Sequence, residues 1–167
     1  MPKPTVYLDT SIISAFWYKG ADSVMSMRRA RTREWWEWER PYFDIWASAV
    51  VAAELSAGSF AGQSECIKMV RRCRYLHAPS RAEELRAQLV EGHVVPQKKG
   101  GDAAHLAISC FHGIDYLLTW NYAHMANQDV QARLNEMCER FGLRSPLMVS
   151  PAMIPQVRLG QTVRRKH

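Results

Sequence analysis

Three carboxylates stand in apolar surroundings, far apart in the chain. Asp9 ends the run Val6-Tyr7-Leu8, Glu54 interrupts Ala49-Val50-Val51-Ala52-Ala53-Glu54-Leu55, and Asp102 opens Asp102-Ala103-Ala104-His105-Leu106-Ala107-Ile108. Charges are seldom placed among apolar residues unless they are paired or bind a metal. Three such placements suggest one shared site. Clustered carboxylates repel one another, and a divalent cation resolves the repulsion. Hard oxygen donors suit Mg²⁺ or Mn²⁺, which also bind phosphate oxygens. Such an ion acidifies water and neutralises charge building on phosphorus, so the chemistry in view is phosphodiester hydrolysis.

Each carboxylate also has a plainer role open to it. Asp9, followed by Thr10 and Ser11, and Asp102, preceded by Gly100 and Gly101, both fit helix N-caps. Glu54 falls inside a helix and fits a solvent-facing position. His105 lies three residues after Asp102 on the same helix face, where it fits either a partner of the carboxylates or a core histidine. His124 is equally two-sided.

The elements that must position these groups follow from punctuation and periodicity. Thr5 to Leu8 reads as a buried strand, followed by a short helix over about residues 10–18. A long helix runs from Ser23 to Arg40 and stops at Pro41. Tyr42 to Ala47 reads as a second strand, and Ser48 as the cap of a helix ending at Gly58. Helices over 63–74 and from Ser80 flank a short strand at Tyr75 to Ala78. Ser80 and Glu83 have the spacing of a capping box. Gly101 or Asp102 begins a helix that Gly113 ends, Ile114 to Thr119 is a strand, and Leu147 to Val149 is the last one. Strands alternating with helices imply an α/β fold with a mostly parallel sheet.

In such a sheet ligands bind at the carboxyl ends of the strands. Asp9 ends the first strand, Glu54 lies early in the helix after the second, and Asn121 follows the fourth. Asp102 has no clear strand before it and opens a helix leading back to one, so the pattern leaves its place open.

The 167 residues carry a net charge of +6, with 47 % hydrophobic and 23 % charged residues. That composition is ordinary for one globular domain, and the basic balance favours an anionic partner, nucleic acid first. The cationic clusters are Arg28-Arg29-Arg31-Arg33, Arg71-Arg72-Arg74, Lys98-Lys99 and Arg164-Arg165-Lys166, each with a solvated helix face or tail as the default. No run approaches a membrane span of ~18 residues, and no signal peptide fits before the first strand, so a cytoplasmic protein without membrane association is expected. Cys66, Cys73, Cys110 and Cys138 show no ligand spacing and read as reduced thiols. No glycine-rich nucleotide-binding motif occurs. In Trp35-Trp36-Glu37-Trp38, Trp35 and Trp38 share a helix face while Trp36 is turned about 100° away. Core packing accounts for two of the three, which leaves one for an interface.

Taken in order, Val6-Tyr7-Leu8-Asp9-Thr10-Ser11-Ile12-Ile13-Ser14, the Glu54 helix, Asp102-Ala103-Ala104-His105-Leu106-Ala107-Ile108 and Gly113-Ile114-Asp115-Tyr116-Leu117-Leu118-Thr119-Trp120-Asn121 resemble PIN-domain proteins. They are most similar to the VapC-type toxins of toxin–antitoxin pairs. The resemblance spans residues 1–150, with 151–167 as a tail expected to be partly disordered. It implies a Rossmann-like α/β/α sandwich and a Mg²⁺- or Mn²⁺-dependent endoribonuclease in which Asp9, Glu54 and Asp102 hold the metal. Thr10 or Ser11, and Thr119, would bond near it. It also implies RNA as substrate, a cognate antitoxin protein and a homodimer. Many members carry a fourth acid after the fourth strand. Here Asn121 stands at that catalytic position, able to ligate through its carbonyl or hold a water but adding no charge. The alternatives are a PIN scaffold that binds RNA or protein without cutting, and a DNA nuclease or phosphatase on the same site.

Overall fold

The computed structural model describes residues 2–97 and 100–154. Lys98, Lys99, the cluster Arg164 to Lys166 and the tail from residue 155 lie outside them. The described chain runs β1 (Thr5–Leu8), α1 (Thr10–Phe16), α2 (Ser23–Trp38), a 3-10 turn (Arg40–Tyr42), β2 (Asp44–Ser48), α3 (Ala49–Ser56), α4 (Gln63–Val70), β3 (Arg74–Leu76), α5 (Ser80–Glu91), α6 (Gly100–Phe111), β4 (Tyr116–Leu118), α7 (Gln128–Arg140) and β5 (Leu147–Val149). No described helix is long and apolar enough to cross a membrane.

The strands form one sheet in the order β3-β2-β1-β4-β5, parallel throughout. β1 is central, with Val6 facing Ile45 of β2 on one side and Tyr116 of β4 on the other. Its residues alternate between two cores. Tyr7 joins Val51, Leu85, Leu106 and Leu117 on one face, while Val6 and Leu8 join Ile12, Trp35, Leu118 and Trp120 on the other. A parallel strand covered on both faces is apolar at every position, which is why β1 and β4 read as unbroken runs. The result is a helix–sheet–helix sandwich. The mostly parallel sheet expected from the sequence is wholly parallel.

Local boundaries differ where side chains found tertiary partners. α2 starts as expected, with the Asp22 carboxylate accepting from Met25 N at 2.8 Å, but its last turn gives way before Pro41 to the 3-10 turn. β2 therefore begins at Asp44 rather than Tyr42. Ser80 does not cap α5: Pro79 holds the N-cap position, no side chain caps it, and Glu83 pairs with Arg86 at 2.8 Å instead. Trp35 is buried and Trp36 packs edge-on against Phe16, whereas Trp38, the last residue of α2, is 66 % exposed. The packed pair is thus 35 and 36, not 35 and 38.

The arginine cluster of α2 is solvated only in part: Arg31 and Arg33 are exposed, Arg28 and Arg29 partly buried. Arg29 and Arg33 donate to Tyr18 O and Phe16 O, carbonyls at the end of α1 that have no partner within their helix. Arg33 also stacks over Phe16, and Arg28 lies 5.6 Å from the centre of the Trp120 ring. All four cysteines are free, with the thiols of Cys110 and Cys138 3.1 Å apart in the core.

Asp115, at the amino end of β4, clamps three segments together. It accepts from Thr5 N (2.8 Å), Thr5 Oγ1 (3.0 Å) and Arg144 Nη1 (3.0 Å). Burial pushes its carboxyl up, but the Thr5 amide, Arg144 and the Thr5 hydroxyl outweigh that and hold it below the ordinary carboxylate value. A carboxyl depressed by folding stabilises the protein above its unfolded value and ceases to do so as pH falls through the native one. Asp115→Ala is expected to cost about 1–2 kcal/mol near neutrality, since both partners are partly exposed. The gap from wild type should shrink below about pH 4, read by urea melts of both proteins across that range. A gap independent of pH would assign the clamp to shape rather than charge.

Candidate metal centre

The strand order places a switch point at β1: the chain leaves it toward β2 and β3, then crosses to β4 and β5 on the other side. The carboxyl ends of strands flanking such a point form a crevice. Asp9 follows β1 and Thr119 follows β4, so both line it.

Asp9 occupies the N-cap position of α1, yet its side chain caps nothing. Its Oδ2 accepts from Ser11 Oγ and from Thr119 Oγ1, each at 2.7 Å. Ser11 Oγ in turn accepts from Trp120 N at 2.9 Å, and Thr119 Oγ1 from Asn121 N at 3.0 Å. The carboxylate, 5 % exposed, is fixed by two hydroxyls that the neighbouring backbone itself orients. Its other oxygen, Oδ1, lies 3.3 Å from His105 Nε2.

Glu54, in the second turn of α3, brings its carboxylate to the same place. Oε2 accepts from Thr10 Oγ1 and from His105 Nε2, the latter at 3.1 Å. Its other oxygen packs against Gly101, where a Cβ would collide with it. A side chain at position 101 would displace the acid, so the glycine is a requirement of close approach. Burial pushes the Glu54 carboxyl up, but the hydrogen bond and charge of His105 and the Thr10 hydroxyl prevail and hold it below the ordinary value.

His105, 1 % exposed, sits between the two acids. Its Nδ1 meets Tyr7 Oη at 2.7 Å, and Tyr7 Oη meets Ser48 Oγ at 2.7 Å. Ser48 therefore serves this chain of bonds rather than capping α3. Burial alone would lower the imidazole's pKa. The Glu54 bond and the charges of Asp9, Glu54 and Asp102 overcome it and raise the pKa above the ordinary histidine value. Burial drives the Tyr7 phenol up, so it stays neutral.

Asp102 lies in the first turn of α6. The direction of α6, which left this residue open on sequence grounds, is what delivers it. In a parallel sheet the helix feeding a strand's amino end runs opposite to the strands, so it starts near their carboxyl edge. A helix of 12 residues spans ~18 Å, enough to cross the sheet. Asn121 Nδ2 donates to Asp102 Oδ2 at 3.2 Å, and Asn121 Oδ1 accepts from His124 N at 3.0 Å. The amide thus orients Asp102, with its oxygen already accepting from the backbone of its own turn. His124 enters through its backbone.

One ligand atom each from Asp9, Glu54 and His105 lies within 4.8 Å of the others, a spacing one metal ion could span. Asp9 and Glu54 offer the hard carboxylate oxygens that bind divalent ions of the Mg²⁺–Mn²⁺ class, while His105 Nε2, donating to Glu54, has no lone pair left for a metal; Asp102, bonded to Asn121, lies outside this group of atoms. Charge agrees, since three carboxylates exceed one imidazolium. Thr10, Ser11 and Thr119 bond directly to the carboxylates. His105 is the residue whose part the sequence left undecided. Its offset of three from Asp102 was the available signal, and the partner on its far side, Tyr7, lies 98 residues away.

No family model matches the sequence, and no curated protein matches it. Among solved structures it is similar to one described as a member of the VapBC family of toxin–antitoxin systems, VapBC-5, from Mycobacterium tuberculosis. The two share 19 % identity at a TM-score of 0.47, over 78 % of this chain and 90 % of that one. Likeness of that size leaves the chemistry of the site to the side chains described above.

Proposed function

We propose that this protein is a divalent-metal-dependent endoribonuclease of the PIN type, the toxin of a toxin–antitoxin pair. The observation that carries the reading is the gathering of Asp9, Glu54 and His105 at the switch point, from positions 9, 54 and 105 of the chain. The ordered motifs and the net charge of +6 support it. Asp9, Glu54 and Asp102 would hold Mg²⁺ or Mn²⁺, which when bound supplies an acidified water and neutralises charge on the phosphate. The chain's own part is to hold the acids in place. Ser11 and Thr119 fix Asp9, Thr10 and His105 fix Glu54, and Asn121 fixes Asp102. His105 offsets part of the negative charge without filling the crevice. The resemblance of the ordered motifs to VapC-type toxins adds an antitoxin partner and a homodimer to the reading.

The test is an end-labelled RNA incubated with purified protein and Mn²⁺, Mg²⁺ or chelator, beside single- and double-stranded DNA and a phosphomonoester. RNA strand scission that chelator abolishes is the expected result. Mn²⁺ binding without scission would favour a non-cutting scaffold, preferential loss of DNA or monoester a different hydrolase, and no Mn²⁺ binding at millimolar concentration would remove the metal centre.

A further inference from the structure

Next to Asn121 stands an aromatic residue that the metal centre does not use. Tyr122 is 40 % exposed. A single exposed aromatic is ordinary on a protein surface, but this one is held from three directions. Its hydroxyl donates to Ser150 Oγ at 2.8 Å, and Ser150 is fully buried at the end of β5. Its ring meets Trp120 edge-on, at 6.2 Å between centres and 85° between planes. Its carbonyl accepts from Asn127 Nδ2 at 2.7 Å, while Asn127 Oδ1 caps α7 through Val130 N. Trp120 is itself anchored by Thr32 and Arg28.

Tyr122 lines an open cleft of about 590 Å³ together with Gln128, Asp129 and Arg133. That volume falls within the range of small-ligand pockets. The Arg133 side chain is exposed, its guanidinium steadied by His93 O at 3.3 Å. Arg133 supplies a cation for an anionic group, and Asp129 an acceptor for an amino-bearing base edge.

Resting on the nuclease reading above, we infer that Tyr122, the residue after Asn121, is a stacking platform for an unpaired nucleobase of the RNA strand, with Arg133 of the same cleft meeting its phosphate backbone. Base faces inside a duplex are covered by their neighbours, so such a platform selects single-stranded RNA. Every base offers a face, so the platform positions the strand without choosing a sequence.

The test uses a labelled single-stranded RNA of about 12 nucleotides, with affinity measured in chelator so that nothing is cut, and KM and kcat measured with Mn²⁺. Tyr122→Ala is expected to weaken binding by about 5- to 100-fold and to raise KM by a similar factor, with a smaller fall in kcat. Tyr122→Phe and Tyr122→Trp keep the ring and should bind within a few-fold of wild type. Tyr122→Leu keeps apolar bulk without a π face and should behave like the alanine variant, which guards against a folding defect in the latter. A fully paired RNA hairpin should bind wild type and Tyr122→Ala alike. Wild-type-like affinity in both the alanine and leucine variants of a protein that cuts RNA would overturn the platform and leave the nuclease reading standing. A wild-type protein that fails to cut RNA with metal would overturn both.

Discussion

Replacing Asp9 by Asn should reduce metal-dependent RNA cleavage by more than about 100-fold and leave the fold in place. Changing residues that merely support metal ligands costs about 10–100-fold in affinity or activity, and Asp9 is placed as a ligand itself. Its carboxylate is nearly inaccessible, and Oδ2 already takes two hydroxyl donors. Oδ1 is the oxygen directed at the crevice, 3.3 Å from His105. An amide there either presents an N–H to the His105 donor or turns its nitrogen toward Ser11 and Thr119, whose hydroxyls can rotate to accept it. The second arrangement preserves the local bonds, so the thermal midpoint should stay within a few degrees of wild type. What disappears is one negative charge. The measurements are cleavage rate with Mn²⁺, Mn²⁺ affinity by calorimetry, and a melt. Wild-type activity in Asp9→Asn would remove this residue from the site.

His105→Ala should produce the largest loss of stability of any change near the centre, about 3–5 kcal/mol, because it removes one partner of a buried charged cluster. In a protein of this size that is a fall in Tm of roughly 10 °C. The variant leaves Asp9 and Glu54 facing each other and strips the Tyr7 hydroxyl of its imidazole partner, leaving it Ser48 alone. Divalent metal should restore part of the loss, since it replaces the missing positive charge, so Mn²⁺ should raise the midpoint of the variant more than that of wild type. The sign with pH also follows. Folding raises the imidazole's pKa, so its charge contribution is complete below about pH 6.5 and fades as pH rises through the native value. The gap between wild type and variant should therefore narrow in alkali. Equal Mn²⁺ stabilisation of both proteins, with no pH dependence, would make His105 an ordinary core side chain.

Much of this architecture was legible along the chain. Val6-Tyr7-Leu8 and Tyr116-Leu117-Leu118 announce strands buried on both faces, and Gly113, ending a helix at φ 62, fits a residue that adopts the left-handed region without strain. Helix starts were less legible. Asp9, Ser48 and Ser80 all have the chemistry of caps, but among the described helix starts it is Asp22 and Asn127 that cap with their side chains. Asp9 and Ser48 turn instead toward Thr119 and Tyr7, because a bond to a partner across the crevice competes with a local one. Asp115 could be told from a site acid by its place at the strand's start, and the structure ties it to Thr5 and Arg144 there.

The sequence by itself determined the element order, the parallel sheet and the identity of three acids out of place in apolar segments. These are local properties: periodicity, punctuation and the cost of burying charge. Only the tertiary structure decided that an imidazole sits between two of those acids, that Asn121 holds the third, and that Tyr122 is tied to Ser150 and Trp120. Those bonds join residues 51 and 110 apart, as in His105 to Glu54 and Thr119 to Asp9. Their geometry is set by strand order and by the crossing of α6, neither of which has a period that a sequence can display.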